Sequence, residues 1–305
     1  MARYVRIEEF GGPGVLSIVH DEQPQAGRGE VRVRVHTAGL NPVDYKIFHG
    51  GPAAVRYEAV PPCGNGNDFA GVIDELGDGV SGFQIGDAVF GGKRMQAQAD
   101  FVVVDASRVL PKPAALSFEQ AGALDIAGRA AWASVASLGL SADDTVLISA
   151  AAGGVGVLAG QLALRTGATV VGTASPANHG FLRGLGVIPV AYGDGLVDRV
   201  RAAAPVVTAA LDYNGTATID AALELGVPGG RINTIAARGH RAGAGITEVG
   251  GQAADIDDLR ALSALIASGE IVLPIDRVFP LEQVQGAYRH LMAGHLRGKV
   301  VLATR

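Results

Sequence analysis

The stretch that decides the fold runs from Thr145 to Ala159, with the sequence Thr-Val-Leu-Ile-Ser-Ala-Ala-Ala-Gly-Gly-Val-Gly-Val-Leu-Ala. Its first five residues are mostly β-branched or apolar, which predicts a buried strand. From Val155 to Arg165, apolar side chains recur on one helical face, so a helix is expected to follow the strand. Gly154, Gly156 and Ala159 match the spacing G-x-G-x-x-G/A of a dinucleotide-binding turn.

This order of strand, glycine turn and helix suits a pyrophosphate. Because glycine has no Cβ atom, backbone N–H groups can approach the phosphate oxygens closely, and the helix amino terminus adds partial positive charge. The alternative is a glycine-rich turn that binds nothing, since the chain contains 44 glycines. The strand and helix on either side favour the dinucleotide, so Ala152, Gly153 and Val155 join Gly154 and Gly156 as candidate contacts.

A second strand is predicted at 169–172, and the residues that follow it bear on the choice of cofactor. An NAD-selective site often has an acidic residue there for the ribose hydroxyls. The segment Thr173-Ala174-Ser175 has none, which favours NADPH because an acid would repel its 2′-phosphate. Ser175, His179, Arg183 and Tyr192 are candidates for contacts with that phosphate, although they also suit an ordinary surface. The candidate cofactor contacts are completed by Thr173, Asn214, Ile235 and Ala236.

The chain on either side of the glycine turn has two different patterns. Residues 30–36 alternate between polar and apolar, and short β-rich runs with glycine turns follow, which predicts a small barrel-like domain. A linker is expected at Pro111-Lys112-Pro113, and Ser117 with Gln120 indicates a helix start. From there strand and helix signals alternate. The predicted fold is therefore α/β, with a barrel-like domain and a doubly wound parallel sheet.

Composition restricts the partners that this chain of 305 residues can have. The net charge is −5 and the longest basic cluster is Lys93-Arg94, so we expect no nucleic-acid binding. No apolar run reaches the roughly 18 residues of a membrane span, and the start does not resemble a signal peptide, which predicts a cytoplasmic protein without membrane contact. A single cysteine, Cys63, excludes a cysteine-rich zinc site.

With these residues placed, the chain resembles the medium-chain dehydrogenase/reductase superfamily, and more closely its zinc-free, zeta-crystallin-like quinone oxidoreductase branch. The matching segments are Ala38-Gly-Leu-Asn-Pro-Val-Asp44, Gly66-Asn-Asp-Phe-Ala-Gly71, Ala150-Ala-Ala-Gly-Gly-Val-Gly156, Pro228-Gly-Gly-Arg231 and Gly298-Lys-Val-Val301. The resemblance implies a GroES-like catalytic domain at 1–117 and 269–305, a Rossmann NADP-binding domain at 118–268, NADPH-dependent reduction between them, and a homodimer.

Zinc is not expected at the positions where the resemblance would place it. Related alcohol dehydrogenases use cysteine and histidine ligands in the first domain. This chain has Asn41, or a near neighbour, and Asn67 at the matching places. An amide does not replace thiolate or imidazole on Zn²⁺, so we predict no metal.

The candidate catalytic residues are Asn41, Asp44 and Tyr45. In the family this segment reaches towards the nicotinamide and the substrate, but Asn41 also suits the N-cap of a helix with Asp44 as its third residue. Tyr45 can donate a hydrogen bond to a substrate oxygen, or it can be a packed aromatic residue. The family often has threonine where this chain has Ala130, and Arg129 beside it either meets a phosphate or acidic substrate or lies on the surface.

Without a metal or a flavin, the predicted function is hydride transfer from NADPH to a quinone or an α,β-unsaturated carbonyl, whose conjugated oxygen takes up the charge. A backbone N–H group rivals Tyr45 for contact with that oxygen. The alternatives are an enoyl or alkenal reductase of a biosynthetic pathway and a crystallin-like nucleotide-binding protein with little turnover.

Overall fold

The computed structural model describes residues 1–304, which form two compact units. The barrel unit consists of residues 1–126, 275–294 and the segment from Lys299 onward. The parallel-sheet unit consists of residues 127–274 and 295–298. Each unit is therefore built from chain segments that are far apart in sequence.

Strands occur throughout the described residues. They are β1 (Ala2–Ile7), β2 (Leu16–Asp21), β3 (Glu30–Gly39), β4 (Cys63–Gly64), β5 (Asp68–Leu76), β6 (Ala88–Gly92), β7 (Phe101–Asp105), β8 (Val109–Pro111), β9 (Thr145–Ile148), β10 (Thr169–Thr173), β11 (Ile188–Val190), β12 (Ala209–Asp212), β13 (Ile232–Thr234), β14 (Ile275–Pro280) and β15 (Lys299–Ala303). The predicted strands at 30–36, 145–149 and 169–172 are confirmed as β3, β9 and β10.

Most of the helices alternate with the strands of the second half of the chain. They are α1 (Pro42–Phe48), α2 (Pro52–Tyr57), α3 (Phe118–Ala121), α4 (Asp125–Ala136), α5 (Gly154–Arg165), α6 (His179–Gly184), α7 (Leu196–Ala203), α8 (Thr216–Glu224), α9 (Ile256–Ala267) and α10 (Val284–Ala293). The predicted helix start at Ser117 is confirmed, because its hydroxyl accepts the N–H of Gln120 at 3.2 Å. The glycines after α9 and α10 end both helices in the left-handed region, Gly269 at φ +78° and Gly294 at +75°.

The barrel unit contains a seven-stranded sheet around the long strand β3. Its strand order is β14-β15-β3-β5-β6-β8, and β7 also pairs with β3. The apolar side chains of β3 at Val31, Val33 and Val35 are fully buried and pack with Phe69 and Val102. The polar and apolar residues that alternate at 30–36 therefore lie on the partly exposed face and the buried face of one strand, respectively. A smaller sheet, β2-β1-β4, completes the unit.

Residues 284–294 and 299–303 belong to the barrel unit and supply two buried polar residues. β15 pairs antiparallel with β3, with Leu302 opposite Ala38. It therefore brings Lys299 beside the end of β3, and α10 places Tyr288 in the interior of the same unit. Both side chains are essentially buried, with 4% of Lys299 and 0% of Tyr288 exposed.

The parallel-sheet unit has the strand order β11-β10-β9-β12-β13, and all its strand pairs are parallel. From β9 the chain adds strands on one side as far as β11 and then on the other as far as β13. Each connection between successive strands of this parallel sheet contains a helix, which confirms the doubly wound sheet. The order reverses at β9, so the glycine turn lies where open α/β sheets bind ligands.

None of the helices within residues 1–304 is long and apolar enough to cross a membrane.

Candidate functional site

The glycine turn between β9 and α5 is too tight for side chains. A Cβ atom at Gly156 would lie 2.2 Å from the carbonyl oxygen of Ala150 and 2.9 Å from the Cα of Ala151. Ala150 itself has φ +48°, in the left-handed region that side chains rarely adopt. Glycine at position 156 is therefore required by the backbone around it. This backbone lies at the carboxyl end of β9, at the switch point of the sheet.

The amino terminus of α5 has donors to offer an anion. Gly153 is the N-cap residue and has no side chain to accept the first N–H groups of the helix. Its own N–H is bonded to the Ala150 carbonyl at 2.8 Å, whereas the N–H groups of Gly154, Val155 and Gly156 precede the first intrahelical bond, which Val157 makes to Gly153. The helix start without a side-chain cap and the helix dipole suit a phosphate group, so this turn fits a dinucleotide.

Thr173, at the end of β10, holds the glycine turn in place. Its side chain is 3% exposed, its hydroxyl accepts the N–H of Ala150 at 3.3 Å, and its carbonyl accepts the N–H of Ala151 at 2.9 Å. Gly172 before it allows close packing, because a Cβ there would lie 2.6 Å from the Cβ of Ala151. Thr173 is therefore a support of the turn.

The residues suggested for the 2′-phosphate lie around the ends of β10 and β11. These strand ends are adjacent, since Ala174 donates its N–H to Val190 at 3.0 Å. Ser175 makes no hydrogen bond to cap the short helical turn after it. A ring nitrogen of His179 lies 3.3 Å from the Ala174 carbonyl oxygen. Tyr192 is half exposed, and its hydroxyl lies 3.1 Å from Nδ1 of His295.

The segment from His295 to Gly298 also lies beside the ends of β10 and β11, although no sequence pattern predicted this. Gly298 donates its N–H to the carbonyl of Ala152 in the glycine turn at 2.8 Å. The Arg297 guanidinium lies 4.8 Å from the centre of the Phe181 ring, and its Nε donates to Oδ1 of Asn178 at 3.2 Å. Arg297 therefore places a positive charge beside the end of β10, although it is more than a hundred residues from that strand in sequence.

Asp212 is a buried carboxylate that ties together the ends of three strands. Its Oδ1 accepts the Ser149 hydroxyl at 3.0 Å after β9, and its Oδ2 accepts the Thr234 hydroxyl at 2.6 Å at the end of β13. Asp212 is fully buried. Sequence reasoning missed it, because its partners come from other strands.

Three of the candidate cofactor contacts use their backbone N–H groups internally. Asn214 donates to the Asp212 carboxylate at 3.1 Å, Ile235 to the Asp212 carbonyl at 3.1 Å, and Ala236 to the Thr234 hydroxyl at 3.2 Å. The side chain of Asn214 is exposed. Contacts of these residues with a nucleotide must therefore use side chains or carbonyl groups.

In the barrel unit, Asn41 and Asp44 belong to a buried polar cluster formed by Asn41, Asp44, Asn67, Asp68, Tyr288 and Lys299. Asn41 precedes α1, and its N–H donates to Oδ2 of Asp44 at 2.8 Å. Oδ1 of Asp44 accepts Nδ2 of Asn67 at 2.6 Å, and the Tyr288 hydroxyl donates to Oδ2 at 3.1 Å. Asp44 is 0% exposed and three donors engage its two oxygens, so it fixes the start of α1 and does not reach solvent.

The other half of the buried polar cluster contains an ammonium group. Nζ of Lys299 donates to the Leu40 carbonyl at 2.9 Å and to Oδ1 of Asn41, and it lies 3.8 Å from Oδ2 of Asp68. Asp68 also accepts Nδ2 of Asn41 at 2.9 Å. The Asn41 amide therefore lies between an ammonium and a carboxylate, and both its polar atoms are engaged.

Burial dominates the proton affinities in the buried polar cluster. It raises the pKa of the Asp44 carboxyl to about 6, although hydrogen bonds from Asn41, Asn67 and Tyr288 and the Lys299 charge oppose it. Burial also raises the pKa of Asp68, against the Lys299 ammonium. The same effect lowers the pKa of Lys299, against both carboxylates. Burial thus favours the neutral form of each of these groups, and the opposite charges within the cluster counteract it.

Tyr45, on α1, keeps its hydroxyl available. It is partly exposed, its ring meets His49 edge to face at 5.9 Å, and no hydrogen bond within residues 1–304 involves its hydroxyl. Burial raises the pKa of this hydroxyl, so it is protonated and can donate. Of the three candidate catalytic residues, Tyr45 alone offers a free polar atom.

Tyr57, at the end of α2, is a second partly exposed tyrosine that the sequence analysis did not select. The guanidinium of Arg94 lies 4.4 Å from the centre of its ring. Burial raises the pKa of the Tyr57 hydroxyl, and the negative charge of Asp44 adds to this. No motif in the sequence singles out Tyr57.

Arg129 and Ala130 lie in α4. Nη1 of Arg129 donates to the Ala254 carbonyl at 2.9 Å, so this side chain holds the turn before α9. Ala130 is 6% exposed and brings no polar atom.

Known proteins share both units. Residues 27–114 match the alcohol dehydrogenase GroES-like domain, and residues 189–302 match the zinc-binding dehydrogenase family. Quinone oxidoreductase from Rattus norvegicus is 37% identical over 182 residues, which cover 57% of this chain and 53% of the rat protein. A spectinabilin polyketide synthase system protein from Streptomyces orinoci is 33% identical over 318 residues, 97% of this chain but 14% of its own length. The match to quinone oxidoreductases such as that of rat thus spans about half of their length.

Two solved structures are similar over the whole chain. The quinone oxidoreductase from Coxiella burnetii has a TM-score of 0.90 and 31% identity, covering 100% of this chain and 99% of that one. A mycobacterial protein complexed with NADPH has a TM-score of 0.83 and 26% identity, covering 99% and 100%. The two units define a GroES-like domain and a Rossmann-like domain. The chain belongs to the medium-chain dehydrogenase/reductase superfamily, in its quinone oxidoreductase branch.

The residues of this chain do not fit zinc, despite the name of the second matched family. Within residues 1–304, no three or more histidine, cysteine, aspartate or glutamate side chains are arranged to hold a metal ion. Asn67 donates its amide to Asp44, and Asn41 is bonded to the Lys299 ammonium. Neutral amides engaged in this way do not supply the thiolate and imidazole ligands that zinc prefers.

Proposed function

We propose that this protein is an NADPH-dependent reductase that transfers a hydride to a quinone or to an α,β-unsaturated carbonyl compound. The observation that carries the proposal is the glycine turn at 153–156, where a Cβ at Gly156 would lie 2.2 Å from the Ala150 carbonyl and the N–H groups of α5 lack a side-chain cap. A backbone this tight, at a helix start without a side-chain cap, suits a pyrophosphate.

NADPH is supported over NADH by the groups around the end of β10. The segment from Thr173 to Ser175 contains no acid, and Ser175, His179 and Tyr192 bring hydroxyl and imidazole groups. Arg297 adds a guanidinium beside Asn178. A 2′-phosphate carries negative charge, so this environment favours it over a 2′-hydroxyl. The mycobacterial relative was solved with NADPH bound.

When bound, the reduced nicotinamide supplies the hydride. The chain's own residues hold the acceptor and stabilise negative charge on its oxygen. Tyr45 suits this role, because its hydroxyl is protonated and no described residue occupies it. Asn41 and Asp44 act indirectly by fixing the start of α1, the helix that carries Tyr45. One proton from solvent then completes the quinol or the saturated carbonyl product.

A panel of acceptors tests the proposal. Purified protein is mixed with NADPH or NADH and with benzoquinones, naphthoquinones, 2-alkenals and a 2-enoyl thioester, and the loss of absorbance at the nicotinamide band is followed. We expect turnover with NADPH and at least one quinone or alkenal. Tyr45→Phe should lower kcat about tenfold or more while the Kd for NADPH is unchanged.

A second candidate is an enoyl or alkenal reductase of a biosynthetic pathway. The match to a polyketide synthase over 97% of this chain favours it. Turnover of the 2-enoyl thioester without turnover of quinones or free 2-alkenals would select this candidate. Binding of NADPH without turnover of any acceptor would contradict both and support a nucleotide-binding protein with little turnover.

A further inference from the structure

Tyr288 is the largest fully buried side chain of the chain, and its hydroxyl has an unusual set of partners. It accepts Nδ2 of Asn65 at 3.0 Å and Nε2 of Gln98 at 2.8 Å. Asn65 also donates to Oε1 of Gln98 at 2.8 Å, whereas Oδ1 of Asn65 is buried and accepts no hydrogen bond. Two donors fill the acceptor positions of the hydroxyl, so its single proton is directed to the remaining partner.

That partner is Oδ2 of Asp44, at 3.1 Å. A buried tyrosine usually needs one hydrogen bond to satisfy its hydroxyl, but here two amides compel it to donate to a carboxylate. Phe48 of α1 meets the Tyr288 ring edge to face at 5.0 Å, so the ring as well as the hydroxyl contacts the elements around α1. The donor is therefore fixed in both position and direction.

The hydrogen bond from Tyr288 is important because Asp44 can bind the Asn41 N–H and the Asn67 amide only while its carboxylate is an acceptor. Ionised Asp44 takes the N–H of Asn41 and the amide of Asn67. A protonated carboxyl must itself donate, and around Asp44 every neighbour in contact is a donor. Protonation therefore conflicts with the arrangement of Asn41 and Asn67, and a directed hydrogen bond to the ionised form opposes protonation.

We propose that Tyr288 is a positioning residue of the reaction, which keeps Asp44 ionised and thereby holds the start of α1, and with it Tyr45, in the geometry used for catalysis. The inference rests on the proposed function for its catalytic part. The assignment of Tyr288 to Asp44 stands on the hydrogen bonds alone.

Other titratable and charged groups surround Asp44 and its neighbour Asp68, and the test must leave them unchanged. They are Tyr57 from α2, Asp125 at the start of α4 and Lys299 from β15, with Arg94 over the Tyr57 ring. Tyr288→Phe changes none of them, because it removes one oxygen atom from a ring that stays packed on Phe48.

The experiment compares wild type with Tyr288→Phe in two measurements across pH 4.5–8.5. The first is the carbon-13 shift of the Asp44 carboxyl, assigned with Asp44→Asn. The second is kcat/KM with NADPH and the best acceptor from the panel. We expect the carboxyl titration and the acid limb of kcat/KM to move upward together by roughly one pH unit or more, because a hydrogen bond to the charged form is lost. The Kd for NADPH should be unchanged.

A carboxyl titration that overlays that of wild type overturns the proposal. A carboxyl shift without movement of the acid limb overturns the positioning role, because a merely structural tyrosine would give that result. If wild type reduces no acceptor, the proposed function fails, and the carboxyl titration still decides the pairing of Tyr288 with Asp44. Gln98→Met provides the second variant should Tyr288→Phe not fold. It frees one acceptor position of the hydroxyl and should give a smaller shift in the same direction.

Discussion

The buried carboxyl of Asp44 predicts a specific pH dependence of stability. Burial raises its pKa to about 6 in the folded protein, against about 3.9 for an exposed aspartate in the unfolded chain. Between these values the folded state binds more protons than the unfolded state, so the free energy of unfolding falls as pH rises. The stabilisation is complete below about pH 4 and is lost by about pH 6–7. Two pKa units at about 1.4 kcal/mol each amount to about 3 kcal/mol.

Asp44→Asn removes this titration. The amide cannot accept all three donors of the site, so the variant has a penalty at every pH, but that penalty does not depend on pH. We expect the difference in unfolding free energy between wild type and Asp44→Asn to change by about 2 kcal/mol from pH 4 to pH 7, in favour of the variant as pH rises.

The assay is urea unfolding followed by circular dichroism at fixed ionic strength, at half-unit steps of pH. Asp68 and Lys299 are present in both proteins, so only the effect of the Asp44 charge on their titration enters the difference. Asp194→Asn, at an exposed position, is the matched control and should leave the pH dependence unchanged. Parallel curves for wild type and Asp44→Asn, within about 1 kcal/mol, would refute the reasoning.

Three further outcomes are expected from the parallel-sheet unit. Gly156→Ala places a Cβ against the Ala150 carbonyl, so it should destabilise the protein by about 1–3 kcal/mol and weaken NADPH binding at least tenfold by fluorescence titration. Gly180→Ala is its control, since a Cβ there meets nothing within 4 Å and both properties should be retained. Ser175→Asp should weaken NADPH about tenfold or more relative to NADH, and an unchanged ratio would remove this residue from the phosphate site. Asp212→Asn should lower the free energy of unfolding by about 1–3 kcal/mol in thermal and urea melts, because one oxygen replaces a carboxylate that joins three strands; an unchanged melting temperature would contradict this.

The parallel sheet and its glycine turn could be predicted because their signals are local. The β-branched run of β9, the glycines at 153–156 and the apolar face of α5 lie within about twenty residues. Each element of the turn depends on the backbone of its neighbours in sequence, and spacing alone carries that information.

The buried polar cluster could not be predicted in this way. Asp44 and Tyr288 are 244 residues apart, and Lys299 is 258 residues from Asn41. An aspartate three residues after an N-cap asparagine is equally typical of an exposed helix start, so sequence does not show that this one is buried. The roles suggested for Asn41 and Asp44 remain predictions, but their side chains are committed to one another and to Lys299, Asn67 and Tyr288. The contact of Tyr288 with Asp44 can be recognised only from the packing of α10 against α1 in the structure.

The division of the barrel unit into distant chain segments has a consequence for biosynthesis. A nascent chain that has emerged only as far as residue 126 already contains Asp44 and Asp68, but the phenol and the ammonium that accompany them have not yet been translated. Unpaired carboxylates are costly to bury, so this part of the molecule must wait, hydrated and incompletely packed, while the intervening parallel-sheet unit is synthesised. Residues 1–126 are therefore translated before the segments from Ile275 onward that complete their packing.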